Sequence, residues 1–248
     1  TAPCLALAAS MIVQQDQDAM LLVLPSDHFI SDNRSFQKTV EKAMQAAKGG
    51  AMVTIGIQPN FPNSAYGYIE KGAEAGEDIF TLQRFVEKPC RKDAEFMLAQ
   101  GNYLWNSGIY ITLAKSLLQA VSVYLPAFDY LLQRWQPIEN KEDALWKEEY
   151  HLAPAISIDY GIMEKNKNAF VIPASFAWDD LGGFEALAKY LPKDIEGNCL
   201  DGGDWLGIDC QNCLISSDEG LVAAMGLQDL LIIRRGDIVL VAPRAKNQ

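Results

Sequence analysis

A strand–helix–strand alternation near the start of the chain constrains its fold more than any other feature. Leu21-Leu-Val-Leu24 is an apolar run without polar alternation, which reads as a strand buried on both faces. Ser35 to Lys48 follows as an amphipathic helix, with Phe36, Val40, Met44 and Ala47 on one face and Gly49-Gly50 at its end. Ala51-Met-Val-Thr-Ile-Gly-Ile57 is a second buried strand. This alternation is the βαβ signature and predicts an α/β fold on a mostly parallel sheet. Pro25 ends the first strand, because it has no N–H to donate, and Asp27 and His28 come directly after it. Ligands of open α/β sheets bind beyond the carboxyl ends of the strands. Asp27 is therefore placed to hold a divalent metal or a substrate hydroxyl, the plainer reading being a turn-capping Asp.

A chain of 248 residues, 49% of them hydrophobic, can form one large domain or one domain with a small appendage. Its net charge of −11, with no basic block, argues against nucleic acid or an anionic membrane as partner. A nucleotide remains open, since a metal ion and a few lysines suffice locally. No apolar run approaches the roughly 18 residues of a membrane span. The first cation is Arg34, so the N-terminus lacks the charged region of a signal peptide. Five cysteines in a chain this long do not suggest a disulfide scaffold. The expected setting is the cytoplasm.

Thr1 to Val13 reads as a buried helix with Thr1 near its N-cap and Pro3 in its first turn. Gln58 to Ala65, with two prolines and two asparagines, is a loop. Strands are expected over Tyr66–Glu70, Phe80–Glu87, Tyr103–Thr112 and Ala169–Pro173. Helices are expected over 92–100, 114–123, 126–135, 139–149, Ser157–Lys165 and 184–191. Phe176–Gly183 repeats the opening design, a core strand followed by an acidic, glycine-rich turn. From Gly197 to Ala242 short β segments alternate with Gly, Asp and Asn, and no helix is evident.

The chemistry-bearing residues fall at the ends of these strands. Asp27 and Asp180 make a pair of carboxylates of the kind Mg²⁺ needs, the alternative being two turn caps. In Glu87-Lys88-Pro89, Lys88 could neutralise a phosphate and Glu87 accept from a sugar hydroxyl, or the pair could be a solvated strand end. Trp105-Asn106-Ser107-Gly108 offers an amide among aromatics, suited to a hydroxylated ligand, or else a β-bulge. Cys210-Gln-Asn-Cys213 lacks a second pair for zinc and a following helix for redox work, so it reads as chance spacing in a β turn. No nucleophilic triad, G-x-G-x-x-G or P-loop is present.

Taken in order, several stretches resemble the sugar-nucleotide pyrophosphorylases, most closely the bacterial mannose-1-phosphate guanylyltransferases. They are Thr1-Ala-Pro3, Leu24-Pro-Ser-Asp-His28, Tyr66-Gly-Tyr-Ile-Glu70, Phe85-Val-Glu-Lys-Pro89, Tyr103-Leu-Trp-Asn-Ser-Gly108, Ser157-Ile-Asp-Tyr160 with Met163-Glu-Lys165, and Trp178-Asp-Asp-Leu-Gly182. The resemblance implies a Rossmann-like nucleotide-diphospho-sugar transferase fold with a mixed, mostly parallel sheet and a small C-terminal β region. It implies that GTP and mannose 1-phosphate give GDP-mannose and pyrophosphate, with Mg²⁺ held by Asp27 and Asp180. Gly67, Glu87 and Asn106 then fall at the sugar, with Asp159 a further site residue, Lys88 at the sugar phosphate, and Thr1 and Pro3 by the guanine. In-line attack on the α-phosphorus needs positioning and charge neutralisation rather than a protein nucleophile, so the missing triad is no obstacle.

The family's opening strand and Gly-rich phosphate loop have no counterpart here. The expectation is thus a nucleotidyltransferase domain over 1–193, truncated before that loop and inactive as it stands, with a β appendage over 194–248. The strand at 21–24 should then lie beside one that the chain lacks. Two other readings stay open: a non-catalytic protein that binds sugar nucleotides or partner subunits, and a pyrophosphorylase for another hexose phosphate. An exposed β appendage would also offer a homodimer surface.

Overall fold

The structure, a computed structural model, describes residues 1–135 and 145–246. The chain forms two compact units, one of Thr1–Ser26 with Ile30–Trp178, the other of Asp27–Phe29 with Asp179–Gln248. In chain order the elements begin with α1 (Ala2–Val13), β1 (Met20–Val23), β2 (Phe29–Ile30), α2 (Asn33–Ala47) and β3 (Met52–Ile57). They continue with β4 (Tyr68–Gly76), β5 (Ile79–Val86), α3 (Arg91–Gln100), β6 (Tyr103–Leu113), α4 (Ala114–Tyr124) and α5 (Pro126–Arg134). After α6 (Leu145–Glu149), a π-helical turn spans Asp159–Met163, followed by β7 (Ala169–Pro173) and β8 (Trp178–Asp179). Of the helix expected over 139–149, residues 139–144 lie outside the described residues.

The first unit is built on a six-stranded sheet of order β1-β6-β3-β7-β5-β4, with β4 also pairing β6. The α/β class holds and the sheet is mixed. β1, β3, β4 and β7 share a direction, but β5 and β6 run against them, so β3–β7 is the parallel pair and the other ladders are antiparallel. The two strands of the expected βαβ unit are therefore not neighbours, because β6 lies between them. One face of the sheet packs Met52, Ile69, Leu104 and Val171 against Ala6, Leu117, Val121 and Phe128 of α1, α4 and α5. The other packs Val53, Ile55, Ile111 and Ile172 against Val40, Ala43 and Ala47 of α2. Each such branched side chain contributes on the order of 1.5–3 kcal/mol through burial.

Three details correct the sequence reading. The strand at 21–24 is not buried on both faces: β1 pairs only with β6, and Leu22 is 41% exposed. An apolar run does not distinguish a central strand from an edge one. The buried stripe of α2 contains Ala43 rather than Met44, which is 37% exposed, and the helix starts at Asn33 because Asp32 accepts the Arg34 and Ser35 N–H groups, both at 3.0 Å. The core strand expected at Phe176–Gly183 shrinks to the two residues of β8.

The second unit contains α7 (Phe184–Ala188) and six strands: β9 (Cys199–Asp201), β10 (Asp204–Ile208), β11 (Leu214–Ser217), β12 (Leu221–Met225), β13 (Leu230–Arg235) and β14 (Ile238–Pro243). The β region is made of successive coils rather than hairpins. β9, β11 and β13 stack in parallel, as do β10 and β12, with β14 antiparallel to β13 at the end. Each coil puts an apolar residue at the same place, so Cys199, Leu214 and Leu231 form one buried column and Leu200, Ile215 and Ile232 a second. Asp209, Asn212 and Asp229 turn the corners at positive φ. Cys210 and Cys213 are buried at such a corner with their thiols on backbone carbonyls, and burial pushes the Cys213 thiol pKa up. That is a structural, unreactive setting.

In β6 the Asn-Ser-Gly run is a bulge. Thr54 pairs with Tyr110 and Gly56 with Asn106, so Ile55 alone faces Ser107, Gly108 and Ile109. Ser107 repairs the broken ladder: its hydroxyl donates to the Ile55 carbonyl at 2.7 Å and accepts from the Ile109 N–H at 3.2 Å. Gly108 takes φ +71°, where a side chain is strained. Gly108→Ala is expected to destabilise the protein by about 1–2 kcal/mol in a denaturant titration, with an unchanged slope.

Candidate functional site

The bulge sets Asn106 and Tyr110 on one face of β6, where both meet Asp159 at the head of the π-helical turn. Asn106 Nδ2 donates to the Tyr110 hydroxyl at 2.9 Å and to Asp159 Oδ1 at 3.0 Å. The Tyr110 hydroxyl in turn donates to Asp159 Oδ1 through a short hydrogen bond. Beneath them the buried Thr54 hydroxyl lies 3.1 Å from Asn106 Oδ1 and 3.0 Å from the Ile109 carbonyl. Tyr110 is buried in the main core, and desolvation, followed by the negative charge of Asp159, holds its phenol pKa well above the ordinary value. The expected Ser-capped helix at 157–165 is in fact a π-turn, although Ser157 Oγ does accept the Tyr160 N–H at 3.3 Å. Isolated π-turns frequently mark functional sites.

Glu87 and Lys88 follow β5. Burial pushes the Glu87 carboxyl pKa up, Asp159 pushes it further, and Lys88, whose Nζ lies 3.6 Å from Glu87 Oε1, pulls it back. Lys88 itself takes φ +45°, a strained backbone for a residue with a side chain. Glu164, from the end of the π-turn, accepts the Glu87 N–H at 3.2 Å and so braces this corner. Gly67 makes the arrangement sterically feasible. A Cβ there would sit 2.5 Å from Glu87 Oε2, while the Gly67 carbonyl accepts the Asn106 N–H at 2.8 Å. The structure thus brings Gly67, Glu87, Lys88, Asn106 and Asp159 together, with Gly67 shaping the Glu87 pocket.

Thr1 is tied to the same region. Its hydroxyl gives no cap to α1 and instead accepts the Ile158 N–H at 3.0 Å. Thr1 and Pro3 line an open groove of about 510 Å³ with Tyr150, His151, Ile156 and Ser157.

The second unit holds the two acidic turns. Burial lowers the His28 imidazole pKa, and the Asp27 and Asp180 carboxylates both raise it, so the charges of both turns act on one ring. Asp180 Oδ1 also accepts the Gly182 N–H at 3.3 Å, so this carboxylate caps its own turn. Asp179 is committed elsewhere, accepting from Leu181 N at 3.0 Å and Lys189 Nζ at 2.8 Å. Phe29 stacks on Tyr190 at 3.9 Å between centroids and anchors the Asp27 turn. Two carboxylates from separate turns suit Mg²⁺, which takes one or two protein oxygens and fills its octahedron with water and phosphate. Among the described residues no group of three or more metal-ligating side chains forms.

Sequence reasoning missed Thr54, Tyr110 and Glu164. Tyr110 carried a weak signal, four residues from Asn106 in one strand and hence on the same face. Thr54 carried none, because the bulge decides which β3 side chain it meets. The raised Glu87 pKa has a consequence for stability. The folded protein holds the Glu87 proton to higher pH than the unfolded chain, so this group weakens the fold as pH rises through that window. Glu87→Gln is expected to raise the thermal midpoint at pH 7 relative to wild type, with the difference closing as pH falls towards 4.

Comparison with known proteins agrees with this layout. Residues 1–197 match the nucleotidyl transferase family model, and residues 203–248 match the MannoseP isomerase/GMP-like beta-helix domain. The chain is 38% identical over its whole length to a mannose-1-phosphate guanylyltransferase of Klebsiella pneumoniae, covering 54% of that protein. It is 35% identical to the alginate biosynthesis protein AlgA of Pseudomonas aeruginosa, covering 52% of it. The chain therefore spans about half the length of the curated relatives it matches. The crystal structure of a mannose-1-phosphate geranyltransferase from Thermus thermophilus superposes with a TM-score of 0.85 at 31% identity, over 99% of this chain and 71% of that one. A parallel-coil β unit following an α/β sheet with a Glu-Lys corner fits these matches, and the chain belongs to the nucleotidyl transferase family.

Proposed function

We propose that the full-length protein performs guanylyl transfer to mannose 1-phosphate, giving GDP-mannose and pyrophosphate, with this chain contributing the sugar-phosphate corner. The observation that carries the reading is the cluster of Glu87, Asn106 and Asp159 beside Lys88. Two carboxylates in a half-buried corner are acceptors for sugar hydroxyls, and the adjacent ammonium is a partner for a phosphate. The identity to guanylyltransferases along the whole chain supports mannose 1-phosphate and GTP as the substrates.

In this reading a phosphate oxygen of mannose 1-phosphate attacks the α-phosphorus of GTP in line, the new P–O bond forms, and the bond to the β-phosphate oxygen breaks to release pyrophosphate. Lys88 neutralises the attacking phosphate, and its strained backbone, next to the Glu87 N–H that Glu164 holds, fixes where the ammonium points. Glu87 and Asp159 orient the sugar, so that the attacking oxygen is held rather than searched for. Thr1 and Pro3 line the groove assigned to the guanine. Asp27 and Asp180 would hold Mg²⁺, which when bound neutralises phosphate charge. No helix among the described residues is long and apolar enough to cross a membrane. A GTP-dependent reaction and five free cysteines support a cytoplasmic setting.

A panel of nucleoside triphosphates and hexose 1-phosphates, assayed for pyrophosphate release with Mg²⁺, tests the proposal. GTP with mannose 1-phosphate is expected to be the fastest pair. Equal release with every sugar phosphate, or none with any, would contradict it. Lys88→Ala should raise KM for mannose 1-phosphate by about tenfold or more, as expected for the loss of a charged hydrogen bond. Asp27→Asn and Asp180→Asn should each cost about 100-fold or more in kcat with the fold retained, the scale seen when one electrostatic stabiliser is removed.

A further inference from the structure

The hydrogen bonds of Asn106 and Tyr110 assign roles that the family resemblance does not. Asn106 Nδ2 donates to the Tyr110 hydroxyl and to Asp159 Oδ1, two oxygens so close together that they lie on one side of the amide nitrogen. The single Tyr110 hydroxyl proton is committed to Asp159 as well. Asp159 Oδ1 thus takes two hydrogen bonds from β6, which fixes the rotation of the carboxylate and leaves its second oxygen to face whatever enters beside Glu87. A carboxylate free to turn would offer either oxygen in many directions. One locked on a buried phenol and a half-buried amide offers one oxygen in one direction.

We infer that Tyr110 is a positioning residue which, with the Asn106 amide, orients Asp159 so that Asp159 Oδ2 accepts a sugar hydroxyl. This rests on the sugar-phosphate reading of the same cluster and sharpens it, because it names the carboxylate oxygen that meets the sugar and the phenol that aims it. It also sets the class of sugar the corner admits. The Asp159 and Glu164 carboxylates both act on the Glu87 carboxyl, Glu164 accepting the Glu87 N–H at 3.2 Å, with the Lys88 Nζ 3.6 Å away as the nearby cation. Such a corner accepts hydroxyl donors and repels a second anionic group, so a neutral hexose is preferred over a uronic acid or a doubly phosphorylated sugar.

The test is equilibrium binding of mannose 1-phosphate to the full chain by titration calorimetry, for wild type, Tyr110→Phe, Asp159→Asn and the double variant, with thermal midpoints measured alongside. Tyr110→Phe keeps the ring and its packing and removes only the hydroxyl. It is expected to weaken binding about tenfold, in the range for one hydrogen bond to a charged group, with GTP binding unchanged. If Tyr110 acts through Asp159, it should add nothing in the Asp159→Asn background. Additive losses, or Tyr110→Phe binding as wild type does, would overturn the positioning role alone. Wild-type chain that binds no mannose 1-phosphate would overturn the function reading and this inference with it. Glucuronic acid 1-phosphate should bind at least tenfold more weakly than glucose 1-phosphate, and equal binding would overturn the charge selection.

Discussion

The hydrogen-bonded junction of Tyr110, Asn106 and Asp159 is the constraint on which the first unit's site depends. A carboxylate next to a buried phenol is costly unless its oxygen is satisfied, and here two donors from β6 satisfy it. Both donors reach Asp159 because β6 bulges at Ser107–Ile109, and the bulge survives because Ser107 replaces the missing ladder bonds. The π-turn delivers Asp159 to the junction and, five residues on, delivers Glu164 to the Glu87 N–H. One irregular strand and one irregular turn therefore place Asn106, Tyr110, Asp159 and Glu164, of which Asp159 is the one proposed to meet the sugar.

Each irregularity sits where regular structure would have been more stable. Lys88 and Leu181 take positive φ, Glu87 is held partly buried beside like charges, and β6 gives up ladder bonds at the bulge. Strain gathered at a candidate site and compensated around it is the expected signature of function. In the second unit the coils turn through left-handed Asp209, Asn212 and Asp229, residue types that tolerate that backbone, whereas Leu181, for which it is costly, lies in the turn that carries Asp180.

Much of this was legible in the sequence, and the failures have physical causes. Element types were readable from periodicity, and the ordered motifs pointed to the family. The apolar run at Leu21–Leu24 was read as central because burial by a neighbouring strand leaves no mark within the run itself. The order β1-β6-β3 could not be read either, since β6 reaches its place from far along the chain. At Asn106 the two readings, bulge and ligand group, proved to be one feature. At Asp179-Asp180 two adjacent carboxylates look alike in sequence, yet Lys189 claims the first, and Asp180 is the one that acts on His28. Tyr110 and Thr54 stayed hidden because an aromatic or a β-branched residue in a strand is ordinarily core, and only the bulge turns these two to other use.

The central claim is that a locked Asp159 and a half-buried Glu87 together receive the sugar of a sugar phosphate held by Lys88. A crystal structure of the protein with mannose 1-phosphate tests it most directly. The account predicts hydroxyl oxygens of the sugar within hydrogen-bond distance of Asp159 Oδ2 and of Glu87, the phosphate on Lys88, and the Asn106 amide still donating to Asp159 Oδ1. An Asn106 side chain turned onto the sugar, or a sugar bound away from the Glu87–Asp159 corner, would contradict it.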